Sequence, residues 1–210
     1  MSRVERPRAP RKPPGERRDE ITRAARELAL ADGLTAVTLR GVAARIGVTP
    51  ALVAHYEPNM DALVAATFGA IVSAELDELG DLIGALPTPA SRLARLLDTL
   101  LDGTRDQVTL VWVEAWALGR RNDALAARVR DEMDVWRDFV QGLLESGIAA
   151  GEFDTDDAAS VAWQLLGIID GLNAHALVRW EDAADRGSRI GHAVEGMLGM
   201  PRGALAAAAG

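Results

Sequence analysis

The stretch that most constrains this chain is residues 38–56, TLRGVAARIGVTPALVAHY. Leu39, Val42, Ala43 and Ile46 recur at the i, i+3, i+4, i+7 spacing that gives a helix one apolar face. Thr38 stands just before that run, where its hydroxyl can accept a free N–H of the first turn. Gly47 follows it, where a residue with positive φ stops a helix. Thr49 then repeats the cap, and Pro50 takes the first helical position, where a missing N–H costs nothing. The second helix, residues 50–55, is expected to bury Leu52 and to show Ala51, Val53, Ala54 and His55. The small Ala43 lets the two helices cross closely, and Val48 is an apolar anchor inside the turn. This is the layout of a helix-turn-helix, whose usual job is to set its second helix in the DNA major groove. A plain structural hairpin is the competing reading.

The formal net charge of −8 looks wrong for a DNA binder until the chain is divided. Residues 1–56 hold 11 basic and 6 acidic residues, a net of +5, whereas residues 57–210 hold 12 and 25, a net of −13. A basic head on an acidic body concentrates phosphate attraction at one end. Within the head, residues 1–15 carry Arg3, Arg6, Arg8, Arg11 and Lys12 among prolines, and read as a disordered basic arm. Two readings of that arm stand: it touches phosphates or a minor groove, or it is a solvated leader. The first helix should span residues 16–32, with Ile21, Ala24, Ala25 and Leu28 inward and Gly33 as its stop. Arg17 and Arg18 at its start are candidate phosphate contacts, with exposed charge as the alternative.

In its flanks, ITRAARELALADGLTAVTLRGVAARIGVTPALVAHYEPNMDAL, the hairpin resembles the N-terminal domain of the TetR family of transcriptional regulators. The likeness covers residues 16–68. It rests on the three-helix order, the Gly33 turn, the Thr38 cap, the Gly47-Val48 turn, the His55-Tyr56 pair and the restart at Asn59. Residues 89–198 resemble the family's second domain in layout only. The resemblance implies that Thr49 and Tyr56 hold phosphates, that Pro50 and Ala51 press on the groove, and that His55 lies at its edge. Val53 and Ala54 would offer apolar contact alone, for instance to a thymine methyl. Many relatives carry a phosphate-binding lysine and tyrosine where this chain has Met60 and Val53. Thr38, Arg40 and the arm are therefore expected to carry part of the recognition.

The chain reads as all-α. Beyond the arm (1–15) come a helix-turn-helix domain (16–58), a helical effector-binding and dimerisation domain (59–200) and a flexible tail (201–210). A long helix at residues 60–83 would join head to body, and the loop at 84–91 (GALPTPAS) marks a boundary. Five further helices are expected at 90–103, 105–119, 123–147, 156–180 and 182–198. Trp112 and Trp116 share one helix face, with Glu114 pointing elsewhere on it. Trp136 and Phe139 form a second aromatic pair, and Trp163 opens a face that continues at Asp170, with Asn173 nearby. Singly, each aromatic reads as core; together with Asp170, which breaks the apolar run LLGIIDGL, they read as a small-molecule pocket. A carboxylate there has to be paired, capped or functional, because an isolated buried charge is too costly: it pairs with an arginine of its own body or of a partner subunit, or it meets a cationic or hydroxylated ligand beside the tryptophan faces.

Gly167 and Gly171, and likewise Gly187 and Gly191, lie four apart. By resemblance they belong to a dimer interface; close packing within one chain is the alternative. A single short recognition helix supplies too few contacts for specific binding, so a homodimer is expected in any case.

The resemblance implies a repressor on a palindromic double-stranded operator, released by a small-molecule effector, and the lack of cysteine fits a reducing cytoplasm. No cofactor, metal or membrane is expected. The chain has no cysteine, its three histidines lack ligand spacing, and it holds no phosphate-cradling glycine loop. An enzyme would need a site assembled wholly by the fold; a helical interaction or ligand-binding protein without specific DNA binding is the other alternative.

Overall fold

The computed structural model describes residues 13–180 and 183–208, and only the backbone of 183–189. The described residues form helices and connections, with no strand among them. Helix α1 (Pro14–Asp32) leads through a 3-10 turn (Leu34–Ala36) to α2 (Leu39–Arg45) and α3 (Pro50–Tyr56). Next come α4 (Met60–Gly84), α5 (Pro89–Leu101), α6 (Asp106–Gly119), α7 (Asp123–Ala149), α8 (Ala158–Leu177), α9 (Ala183–Met197) and α10 (Ala204–Ala208).

The caps form where the residue types require them. Thr38 Oγ1 accepts from Gly41 N at 3.0 Å, Thr49 Oγ1 from Leu52 N at 3.3 Å, and Asn59 Oδ1 from Ala62 N at 3.1 Å. Each satisfies a first-turn N–H that the helix itself leaves free. Gly33 and Gly47, at φ +85° and +69°, occupy the left-handed region where a side chain would be strained.

Three expectations need correction. Helix α1 begins at Pro14, so Pro14 and Gly15 leave the proposed arm; proline suits the first turn of a helix, which here outweighs its tendency to break one. The arm's basic residues, all within 1–12, lie outside the described residues. Helix α8 ends at Leu177 rather than at residue 180, and the chain turns through Arg179 at φ +56° to stack Trp180 edge-on to His175. The tail is not loose over its described part. Leu205 is buried in the core, and the Glu195 carboxylate accepts Gly203 N at 2.9 Å and Leu205 N at 3.0 Å, which holds α10 in place.

In the head, Ile21, Ala24, Ala25 and Leu28 of α1 close over Val42, Ala43 and Val53. Helix α4 runs from this cluster into the body, where Phe68 is fully buried and meets Trp112 of α6 edge-to-face at 5.0 Å. A polar clamp fixes α4 to α7: Arg128 pairs with Glu132 at 2.6 Å, and Ser73 donates to the same carboxylate at 3.0 Å. Head and body also meet through α6. Glu114 accepts both the backbone N–H and the hydroxyl of Thr35, each at 3.1 Å, so one carboxylate caps the 3-10 turn from the other domain.

Candidate functional site

Two surfaces gather the candidate residues. The first is the outer face of α2 and α3. Thr38, Arg40, Thr49, Pro50, Ala51 and His55 are exposed, Ala54 and Tyr56 half-buried, and the His55 and Tyr56 rings meet edge-on at 5.1 Å. The two capping threonines accept through their oxygens, which leaves each hydroxyl proton free to donate to a phosphate. Arg18 is exposed on α1, whereas Arg17 folds back onto Glu20 and is half-buried.

Val53 is a correction. It is fully buried, and the partly exposed residue is Leu52, the reverse of the expected arrangement. The two stand about 100° apart on α3, and the angle at which α3 crosses α1 and α2 turns Val53 inward. A side chain with no exposure cannot touch a base, so Val53 leaves the candidate contacts.

The second surface is a part-open cavity of about 310 Å³ lined by α4, α6, α7 and α8, with Leu100 of α5 and Arg105. It gathers Trp112, Trp116, Trp136, Trp163, Asp170 and Asn173. Trp112 and Trp116 stack at a tilt with centroids 5.7 Å apart, and Trp136 is nearly buried. Trp163 edges the cavity while remaining 70% exposed. Asn173 donates to the Leu100 carbonyl at 3.0 Å, tying α8 to α5.

Phe139 is the second correction: it does not line the cavity but packs toward α4 beside Gly80. Three residues on from Trp136, it is rotated about 60° around α7, enough to face a different neighbour.

Gly167 lines the cavity, and for Gly167, Gly171 and Gly191 no described residue outside their own helix stands within 4 Å of where a Cβ would be. Close packing against the described residues therefore does not explain them. The surroundings of Gly187 lie outside the described residues.

Sequence reasoning missed the ionic part of the cavity. Glu75 of α4, 6% exposed, lies 3.6 Å from Arg105, which also reaches Glu78 at 3.3 Å. Burial pushes the Glu75 carboxyl up to about 7, outweighing the pull of the Arg105 guanidinium. Asp170 is raised to about 6 by burial, with no hydrogen-bond or ion-pair partner among the described residues. The signal for Glu75 was present in the sequence, because it falls on the α4 stripe of Phe68, Ile71, Val72 and Leu79.

Comparison with known proteins places these features. Residues 21–67 match the profile of bacterial regulatory proteins of the tetR family, and residues 89–197 that of the C-terminal domain of BetI-type transcriptional repressors. No curated protein matches the sequence. Among similar solved structures is a regulator from Saccharomonospora viridis in complex with choline, 22% identical, covering 84% of this chain and 94% of its own, with a TM-score of 0.74. A TetR-family regulator from Agrobacterium tumefaciens is 20% identical over 89% of this chain and 100% of its own, also with a TM-score of 0.74. FadR from Bacillus subtilis, in complex with stearoyl-CoA, is 18% identical over 86% and 97%, with a TM-score of 0.66. At such identities the likeness to these structures is one of fold, while the two profiles between them span the head and most of the body. The chain belongs to the TetR family of transcriptional regulators.

Proposed function

We propose that the protein is a homodimeric repressor that holds a palindromic operator with the α2–α3 faces of its two heads and releases it when a small molecule fills the body cavity. The observation that carries this reading is the double engagement of α6. One face of that helix supplies Trp112 and Trp116 to the cavity, and Glu114 bonds the head at Thr35. A ligand that shifts α6 therefore shifts the head as well, and by linkage DNA on the heads biases the cavity to the same degree. Helix α4, which carries Glu75 to the cavity and begins at the end of the head, is a second lever.

Arg18, Thr38, Arg40, Thr49 and Tyr56 hold phosphates in this reading, and Pro50, Ala51, Ala54 and His55 meet the groove. A dimer sets two such helices about 34–36 Å apart, one turn of duplex. Gly167, Gly171 and Gly191 offer their open faces to the second copy, with Gly187 on the same helix as Gly191. The domains divide at about residue 58, and Met60 opens the lever. The protein acts in the cytoplasm, and no catalytic step belongs to this reading. No helix among the described residues is long and apolar enough to cross a membrane.

The neighbours solved with choline and with stearoyl-CoA show that this fold accommodates ligands of very different size. Fluorescence polarisation on the DNA upstream of the protein's own gene, at two salt concentrations, tests the DNA half. Salt-sensitive binding that competitor duplex fails to displace is the expected result. Affinity no greater than for random duplex, there and across a genomic fragment library, would overturn it.

A further inference from the structure

The charged groups around the cavity decide what kind of molecule it takes. Arg105 stands between Glu75 and Glu78, and Arg137 between Asp134 at 2.7 Å and Asp138 at 2.8 Å. Each guanidinium that faces the cavity is thus matched by two carboxylates of its own chain, and neither offers net positive charge to an anion. Asp170 is different: it faces the cavity from α8 with no partner among the described residues. Around it stand tryptophan faces, which attract cations through their ring quadrupoles. Trp136, 5% exposed, also keeps an indole N–H with no partner among the described residues, an orphaned donor at the wall of an open space.

We infer that the cavity selects an organic monocation with an apolar body, its charged end against the Asp170 carboxylate and its body against Trp112, Trp116 and Trp136. This deepens the effector reading above and rests on it. A cation supplies the missing counter-charge and offsets the desolvation of Asp170, whereas a neutral molecule leaves that half-buried carboxylate alone. An anion would add repulsion to it. Burial alone raises the Asp170 carboxyl, whereas at Glu75 the Arg105 guanidinium pulls against burial.

The test compares three probes of similar shape: benzyltrimethylammonium, its neutral carbon isostere neopentylbenzene, and phenylacetate. Four of the five tryptophans line the cavity, so quenching of intrinsic fluorescence reports its filling. The cation should quench saturably and bind at least tenfold tighter than either other probe. Asp170→Asn, its fold checked by circular dichroism, should remove that preference. The inference is overturned if the neutral or anionic probe binds as tightly as the cation, if none of the three binds, or if a folded Asp170→Asn variant keeps the preference. Because the three-probe comparison uses the native protein, it decides even if the variant fails to fold. Operator binding is measured separately by polarisation. A lost cation preference with operator binding intact sinks this inference alone, while absent operator binding sinks the regulator reading and leaves the fluorescence result standing.

Discussion

Removing Glu114 should loosen the head from the body. Its carboxylate accepts two bonds from Thr35, through the backbone N–H and through Oγ1, both at 3.1 Å. Bonds to a charged acceptor contribute about 1.5–3 kcal/mol when buried, and these lie at the exposed rim, so about 1 kcal/mol each is the reasonable figure. Glu114→Ala should therefore cost about 2 kcal/mol in chemical denaturation at fixed protomer concentration. Thr35→Val deletes only the hydroxyl bond and should cost about 1 kcal/mol. In the double variant that bond is already lost, so the cycle should show an interaction energy of about 1 kcal/mol. If α6 carries the ligand signal through this contact, Glu114→Ala should also reduce effector-induced DNA release about fivefold, the equivalent of 1 kcal/mol of coupling. Additive single and double variants, within about 0.3 kcal/mol, would refute the idea that these side chains join the domains.

Other perturbations separate packing from recognition. Val53→Ala deletes two methyl groups at a site with no exposure, and should cost about 2 kcal/mol of stability while leaving operator affinity unchanged well below the thermal transition. Arg40→Ala should do the opposite: unchanged melting, weaker operator binding, and a log affinity versus log salt slope shallower by about 2, because a dimer loses two phosphate contacts. Glu75 makes stability pH-dependent. Its folded pKa of about 7 lies above the ordinary 4.5, so the folded state holds the proton more tightly. Its contribution is complete below about pH 4.5 and is lost as the pH rises to about 7. Between pH 5 and 8 the denaturation midpoint should fall, by the equivalent of about 2 kcal/mol from this group, and Glu75→Gln should flatten most of that fall. Asp170, also raised, leaves the remainder.

The caps at Thr38, Thr49 and Asn59 were legible because a cap is a local bargain between one side chain and an N–H three residues on. The same holds for the Gly33 and Gly47 stops, each set by the φ of a single residue. Val53 and Leu52 were not separable, since both are apolar neighbours on a seven-residue helix and only the packing of α3 against α1 and α2 decides which one turns inward. Phe139 failed for a related reason: spacing pairs it with Trp136, but the cavity and α4 lie on different sides of α7. The Glu114–Thr35 contact spans 79 positions, and the anchor of α10 depends on Glu195, ten residues from Leu205. No periodicity reaches that far. What did survive from sequence to site is Asp170, and the same signal, a charge inside an apolar stripe, stood unread at Glu75. Asp170 interrupts the apolar run of α8, and Glu75 breaks the buried stripe of α4; both carboxylates end at the same cavity. An apolar stripe tolerates a charge only where the fold leaves it a counter-charge or room for one. Glu75 has Arg105 for the first, and Asp170, among the described residues, has only the cavity. The two interruptions thus differ in kind, and in the inference drawn above it is the unpaired one that takes a ligand's charge.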